Sequence, residues 1–350
     1  MPSGAATVSF GVLSRLAIGE NDAHVHRAAG ISDLASAYMF PGQGSQSVGM
    51  GQALATVSPQ AAAIWAQADE ALGMPISELA WNGPAEQLDL TVNAQPALLA
   101  ASVAALHALE ASSALERLGE ARVCAGHSMG QYSAMVAAGV LDLADALRLV
   151  RERGRLMQAS AEDGAMAAII GLPDDRTDEL LAIGAAVGII TVANRNSPGQ
   201  IVISGEPAAV EAAAGAARGL GARRSIVLPV SVAAHSPLMA GAAEGLREAI
   251  AEVPFRDPFV PLLANADATL LESGEACRTE RIEHLTRGVD WIAAVERMTA
   301  DGVATFVEVG PGKVLSGLVR RIAPDATTIA IDDITAPGGL ELPHQPSAEE

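Results

Sequence analysis

Val123-Cys124-Ala125-Gly126-His127-Ser128-Met129-Gly130-Gln131 is the stretch on which the reading of the fold turns. The apolar run from Val123 to Ala125 suits a buried strand, and Tyr132 to Val140 continue at helical spacing. Between them, Gly126-His127-Ser128-Met129-Gly130 fits G-x-S-x-G, which between a strand and a helix forms a nucleophile elbow. The two glycines let the backbone turn sharply. Ser128 then stands at the head of a helix with free amides beside it. In a chain with 34 glycines the bare pattern is weak, so its weight depends on the rest of the sequence.

The composition favours an α/β protein. Half of the 350 residues are hydrophobic but only 3% are aromatic, so the core is built from Ala, Val, Leu and Ile. Buried strands of a parallel sheet read as such aliphatic runs. A net charge of −19 argues against nucleic acid, because phosphate binding needs a basic surface. The Arg clusters 151/153/155, 223/224 and 320/321 read as solvated helix faces rather than docking sites. Two cysteines, Cys124 and Cys277, are too few for a disulfide framework, and the seven histidines show no metal-ligand spacing. No apolar run has the length of a membrane span, and no secretory pattern opens the chain, so a soluble cytoplasmic protein without metal is expected.

Residues 1–36 show no sustained period and read as a mobile leader. Ala37-Tyr38-Met39-Phe40 reads as a buried strand that stops at Pro41-Gly42-Gln43-Gly44-Ser45-Gln46. This loop lacks the Lys-Ser/Thr of a P-loop and the third glycine of a dinucleotide fingerprint. Helices follow near 59–72 and 94–110, and Asp142 is expected to cap another. On that last helix Leu143, Ala146, Leu147, Val150 and Leu156 face inward, and Arg153 shares their side. A buried-side arginine needs an anion, either a structural carboxylate or a ligand, and on pattern alone the structural partner is the commoner outcome. From 165 to 230 the order becomes β-α-β-β-α-β, with strands at 166–172, 188–193, 200–204 and 225–229. The chain thus divides into a leader (1–36), a main α/β unit (37–164 and 231–334), a ferredoxin-like insertion (165–230) and a disordered tail (335–350). The main unit resumes with helices at 237–252, 278–287, 291–300 and 313–323 and strands at 260–264, 305–309 and 327–331.

Taken together, residues 37 to about 332 resemble the malonyl-CoA:acyl carrier protein transacylases of fatty acid and polyketide synthesis. The resemblance is carried by Phe40-Pro41-Gly42-Gln43-Gly44-Ser45-Gln46, Gly126-His127-Ser128-Met129-Gly130, Arg153-Gly154, Asn194-x-Asn196-Ser197-Pro198-Gly199-Gln200, His235-Ser236 and Glu308-Val309-Gly310-Pro311-Gly312. It implies a hydrolase-like parallel-sheet core with an inserted ferredoxin-like α+β subdomain. It also implies malonyl transfer from coenzyme A to the thiol of acyl carrier protein through a seryl ester, by a monomer without a cofactor. Position by position, Ser128 is the expected nucleophile and His235 its base. The amides of Gln43 and Met129 are the expected oxyanion donors, and Arg153 the expected partner of the malonyl carboxylate. The family orients the histidine with a backbone carbonyl, and Asp290 is the candidate for it. Two departures matter: Gln131 stands where the family usually has Glu, which bears on acyl selectivity or on hydrogen bonding around the site, and Ala234 with its neighbours is small, which suggests a roomier pocket.

Three other functions compete. A true α/β-hydrolase would need its histidine near the end of the chain, but His284 lies in a helical stretch and His344 in the tail. A non-catalytic carrier-binding module would not need Ser128, His235, Gln43 and Arg153 together. An acyltransferase for a different acyl donor stays open, and Gln131 keeps it so.

Overall fold

A computed structural model describes residues 35–332, apart from 113–114, 116–117, 119–120, 161–163 and 231. The expected tail, and the expected leader as far as residue 34, lie outside the described residues. Ala35 and Ser36 do not belong to a leader, since they open the first strand.

The strands are β1 (Ala35–Phe40), β2 (Ala121–Gly126), β3 (Ala165–Ile170), β4 (Ile190–Ser197), β5 (Gln200–Gly205) and β6 (Arg224–Val227), followed by β7 (Leu262–Leu263), β8 (Leu270–Leu271), β9 (Val289–Asp290), β10 (Val303–Val309) and β11 (Thr327–Ile331). The main sheet runs β11-β10-β1-β2-β7-β8, parallel throughout except for the β7–β8 pair. Its centre is aliphatic, as a sheet covered on both faces requires: Ala37, Tyr38, Met39 and Phe40 of β1 are all fully buried. The helix Thr91–Glu110 is apolar enough to cross a membrane by length and composition. However, 83% of its apolar window is buried inside the protein, so it is a core helix.

The inserted unit forms a second sheet, β6-β3-β5-β4, with antiparallel neighbours. Ile169, Ile201 and Ile203 of its strands share an apolar cluster with Leu180, Val210 and Ala213 of the helices Thr177–Ala185 and Pro207–Ala216. A fifth strand comes from the main unit. β9 pairs in parallel with β4, Asn194 opposite Val289 and Arg195 opposite Asp290, so the two units are joined through backbone as well as side chains. Two residues carry no periodic signal, and the sequence pattern gave no hint of this strand.

Some boundaries differ from the sequence reading. β4 extends beyond Ala193 through both asparagines to Ser197. The helix expected at 278–287 begins at Gly274, because the Ser273 hydroxyl caps it by accepting from Ala276 N at 3.2 Å, and it ends at Glu283. Asp142 precedes the helix Leu143–Ala159, but its carboxylate does not cap it; it pairs with Arg256 at 2.6 Å instead.

The elbow depends on close approaches of backbone to backbone. A Cβ on Gly126 would overlap Gly130 and Gln131, one on Gly130 would overlap the carbonyl of Phe40, and one on Gly42 would stand 2.5 Å from the carbonyl oxygen of His127. These glycines let the end of β1, the loop after it and the turn after β2 occupy one small volume. Gly126→Ala should therefore destabilise the protein by about 3 kcal/mol or more, at the upper end of overpacking costs. Gly241→Ala, in a helix where an added methyl meets nothing within 4 Å, should be neutral or stabilising by up to about 1 kcal/mol. Denaturant unfolding of both variants checks this, and equal effects would contradict the steric account.

Candidate active site

Ser128 stands two residues beyond β2 and takes a left-handed backbone, φ 54°, before the helix Gly130–Ala137. A non-glycine residue pays strain for that conformation and keeps it only when its surroundings hold it. Here His127 N donates to Phe40 O at 3.0 Å, and Ser128 N donates to Asn265 Oδ1 at 2.8 Å. The turn raises the Ser128 hydroxyl toward His235, with Oγ 3.0 Å from Nε2. His235 is itself left-handed, φ 62°. The Ser236 hydroxyl, which donates to Ala233 O and accepts from Leu238 N, shapes the turn that follows it.

The other ring nitrogen of His235 faces two backbone carbonyls, His284 O and Arg287 O, each at 3.0 Å. Asp290, the expected source of that carbonyl, is not the partner; its side chain caps the helix Trp291–Ala300 by accepting from Ala293 N at 2.9 Å. The reason lies in where the preceding helix stops. Gly274–Glu283 ends at Glu283, and the last carbonyls of a helix have no partner within it. His284 is its C-cap, so an orphan carbonyl and the negative end of the helix both face the imidazole. No carboxylate among the described residues forms an ion pair with His235.

Arg153 lies on the helix Leu143–Ala159 and is 2% exposed. Its Nη1 donates to Gln95 Oε1 at 2.7 Å and its Nη2 to Ser128 Oγ at 3.2 Å, while its Nε has no partner. It pairs with no carboxylate among the described residues, so the structural partner expected from the pattern is a neutral amide. Burial pushes its pKa down to about 10. A buried, unpaired guanidinium is costly to maintain, and it presents an open position to an incoming anion.

These groups line one cavity of about 580 Å³. Gly42, Gln43 and Gly44 form one wall, and Met157, Met166, Val202 and Val230 form an apolar one. Gln43 Nε2 holds Thr91 Oγ1 at 3.1 Å, and Gln46 bridges Gly44 N and Asp89, which stiffens the glycine-rich loop. The backbone N–H groups of Gln43 and Met129 have no acceptor among the described residues. Ala234 also lines the cavity. Gln131 does not: it is fully buried behind the elbow, accepts from Gly126 N at 2.8 Å and donates to Leu263 O at 2.8 Å. Of its two expected bearings, the structure shows the one on hydrogen bonding around the site, in the scaffold behind the elbow and not in the cavity wall. An ionised Glu could not make the second of these bonds.

The remaining motif residues have structural places as well. Asn196 Oδ1 lies 2.9 Å from His127 Nε2, linking β4 to the elbow. The buried Glu308 carboxylate accepts from Leu315 N and Ser316 N, capping the helix Val314–Ile322, which supplies Val314, Leu315 and Leu318 to the cavity. Asn265 and Arg281, which contact the Ser128 backbone, belong to no motif, and only their three-dimensional placement reveals them.

The acyl transferase domain family matches residues 37–330. The chain belongs to that family. It is 44% identical over 310 residues to the malonyl CoA-acyl carrier protein transacylase of Escherichia coli K12, covering 87% of this chain and 99% of that one. The transacylase of the same name from Bacillus subtilis is 42% identical over 320 residues, covering 90% and 98%. Among solved structures, the acyl-carrier-protein S-malonyltransferase of Bartonella henselae superposes with a TM-score of 0.82 at 41% identity, covering 85% of this chain and 95% of that one. A malonyl-transacylase in complex with a type II PKS acyl-carrier protein superposes with a TM-score of 0.81 at 41% identity, covering 85% and 95%.

The electrostatics predict an unusual pH dependence. Burial, the positive charge of Arg153 and the neighbouring His127 push the His235 pKa down to about 3, against the opposing pull of the His284 and Arg287 carbonyls. A lowered pKa leaves the imidazole neutral, and so able to accept a proton, at every pH above that value. The rate of acyl loading at low substrate should therefore show no loss centred near pH 6.5 between pH 8 and 5.5. A titration of that rate with an apparent pKa of about 6.5, the value of an unperturbed histidine, would contradict it.

Proposed function

We propose that this protein transfers malonyl from malonyl-CoA to the phosphopantetheine thiol of an acyl carrier protein, in two half-reactions through an ester on Ser128. The observation that carries the proposal is Arg153, a buried guanidinium with no carboxylate partner among the described residues and 3.2 Å from the nucleophile oxygen. Acetyl and malonyl differ by one carboxylate, and a planar guanidinium meets that group through paired, charge-assisted hydrogen bonds. The malonyl-transferring relatives, similar over nearly their whole length, support the same reading.

In the first half-reaction His235 Nε2 takes the Ser128 proton while Oγ attacks the thioester carbonyl. The negative charge that develops on the carbonyl oxygen is held by the N–H groups of Gln43 and Met129, which have no competing acceptor among the described residues. The resulting imidazolium is steadied by the carbonyls of His284 and Arg287 and by the helix end they lie near. It then protonates the departing coenzyme A sulfur. In the second half-reaction the carrier thiol attacks the seryl ester and the same proton path runs again. Orienting the histidine by carbonyls keeps a formal negative charge away from a site that must receive an anionic acyl group. Ala234 leaves room beside the acyl group. Coenzyme A thioester is a substrate, and no cofactor or metal takes part. The protein acts as a cytoplasmic monomer in fatty acid or polyketide synthesis.

Intact-mass measurement of the protein after exposure to malonyl-, methylmalonyl- and acetyl-CoA, then to acyl carrier protein, tests the reading. Malonyl should load and transfer best. Arg153→Ala should lower malonyl transfer by about 10²–10⁴-fold, the worth of two charge-assisted bonds after desolvation, and leave acetyl transfer unchanged or improved. Equal losses for both donors would retire the carboxylate-binding role.

A further inference from the structure

The Ser128 peptide is gripped from behind by groups that no motif contains. Ser128 N donates to Asn265 Oδ1 at 2.8 Å, and Ser128 O accepts from Arg281 Nη1 at 3.3 Å. Arg281 and Asn265 are joined by one carboxylate: Glu280 pairs with Arg281 and accepts from Asn265 N at 3.2 Å. Asn265 O in turn accepts from Asp290 N at 2.7 Å. All three side chains are almost wholly enclosed, with Asn265 at 4% and Arg281 at 1% exposure and the Glu280 side chain at 9%. The Arg281 guanidinium also lies 5.3 Å from the centre of the Tyr132 ring, one turn into the elbow helix. The topology explains the meeting. β2 and β7 are parallel neighbours, Ser128 stands two residues beyond the end of one, and Asn265 stands two beyond the end of the other.

A buried ion pair is seldom kept for stability alone, since an apolar pair of similar size often serves as well. We infer that Asn265 and Arg281, tied together by Glu280, are positioning residues for the nucleophile: they hold both ends of the left-handed Ser128 residue. Their grip keeps Oγ directed at His235 Nε2 and leaves Met129 N, rather than the engaged Ser128 N, as the elbow's free amide. Asn265 Oδ1 lacks a rival among the described residues as acceptor for Ser128 N. The three residues act through Ser128 and do not line the substrate cavity.

This rests on the acyl-transfer reading, and the test separates the two. In the full chain, single-turnover malonyl loading is followed by rapid quench and mass spectrometry across malonyl-CoA concentrations, giving a maximal rate and a dissociation constant. Asn265→Leu should lower the maximal rate about 10–100-fold, as an ångström-scale displacement of a reacting group does. The dissociation constant should stay within about twofold, because Arg153 and the cavity are untouched. Asn265→Asp, whose carboxylate can accept from the same N–H, should recover most of the rate. Arg281→Lys provides the test if the leucine variant does not fold: it keeps the charge beside Glu280, and should lower the maximal rate with the dissociation constant unchanged. An unchanged maximal rate in the folded variant, or a rate and affinity that weaken together, would overturn the positioning role. A wild-type protein that takes up no acyl group would overturn the acyl-transfer reading and this inference with it.

Discussion

The site depends on a backbone constraint, the left-handed turn at Ser128 wedged between the end of β1 and the start of the elbow helix. Three glycines, 42, 126 and 130, leave backbone where side chains would otherwise collide. The turn gains by this crowding. A strained residue persists only where neighbours over-determine it, and here the Ser128 and His127 amides, the Ser128 carbonyl and the Gln131 side chain are all committed to fixed partners. The serine hydroxyl and two amides without an acceptor among the described residues are left to face the cavity, so the reactive groups are those the scaffold does not consume.

The electrostatic character of the cavity follows from the same arrangement. Arg153 and the ring of His127 lie close to His235, and burial removes the water that would screen them. The His284 ring, packed edge-on at 4.5 Å between centroids, is likewise held well below its usual pKa by burial and by Arg281. The imidazole at the centre therefore rests neutral. Two backbone carbonyls orient it without adding a formal charge, and the guanidinium of Arg153 reaches the nucleophile oxygen itself, while that of Arg281 holds the Ser128 carbonyl from behind. An anionic donor enters a site that is cationic on one side and dipolar on the other, and the donor's own carboxylate offsets the charge of Arg153.

Much of this was legible in the sequence because it is local. The elbow is nine consecutive residues, and Arg153 declares its inward side through the spacing of Ala146 and Val150. The β-α-β-β-α-β order survives errors of a few residues at strand ends. Features set by distant parts of the chain were not legible. The carbonyl partners of His235 depend on where the helix Gly274–Glu283 stops, four residues before the end that the sequence pattern suggests. Gln131 sits three residues from the nucleophile, yet whether it faces the cavity or the scaffold depends on the Leu263 carbonyl, more than a hundred residues away. The two-residue β9, Asn265 and Arg281 have no periodicity or motif to announce them. The parallel pairing of β2 with β7 brings Asn265 to the site and that of β4 with β9 brings β9, while Arg281 reaches it from the helix Gly274–Glu283.

The central claim is that Ser128 carries the acyl group between two thiols. Peptide mapping of protein loaded with malonyl-CoA in the absence of carrier protein tests it most directly. The account predicts a malonyl adduct confined to the peptide containing Ser128, lost on addition of acyl carrier protein as the carrier gains the same mass. An adduct on any other residue, or carrier malonylation by a Ser128→Ala protein at the wild-type rate, would contradict it.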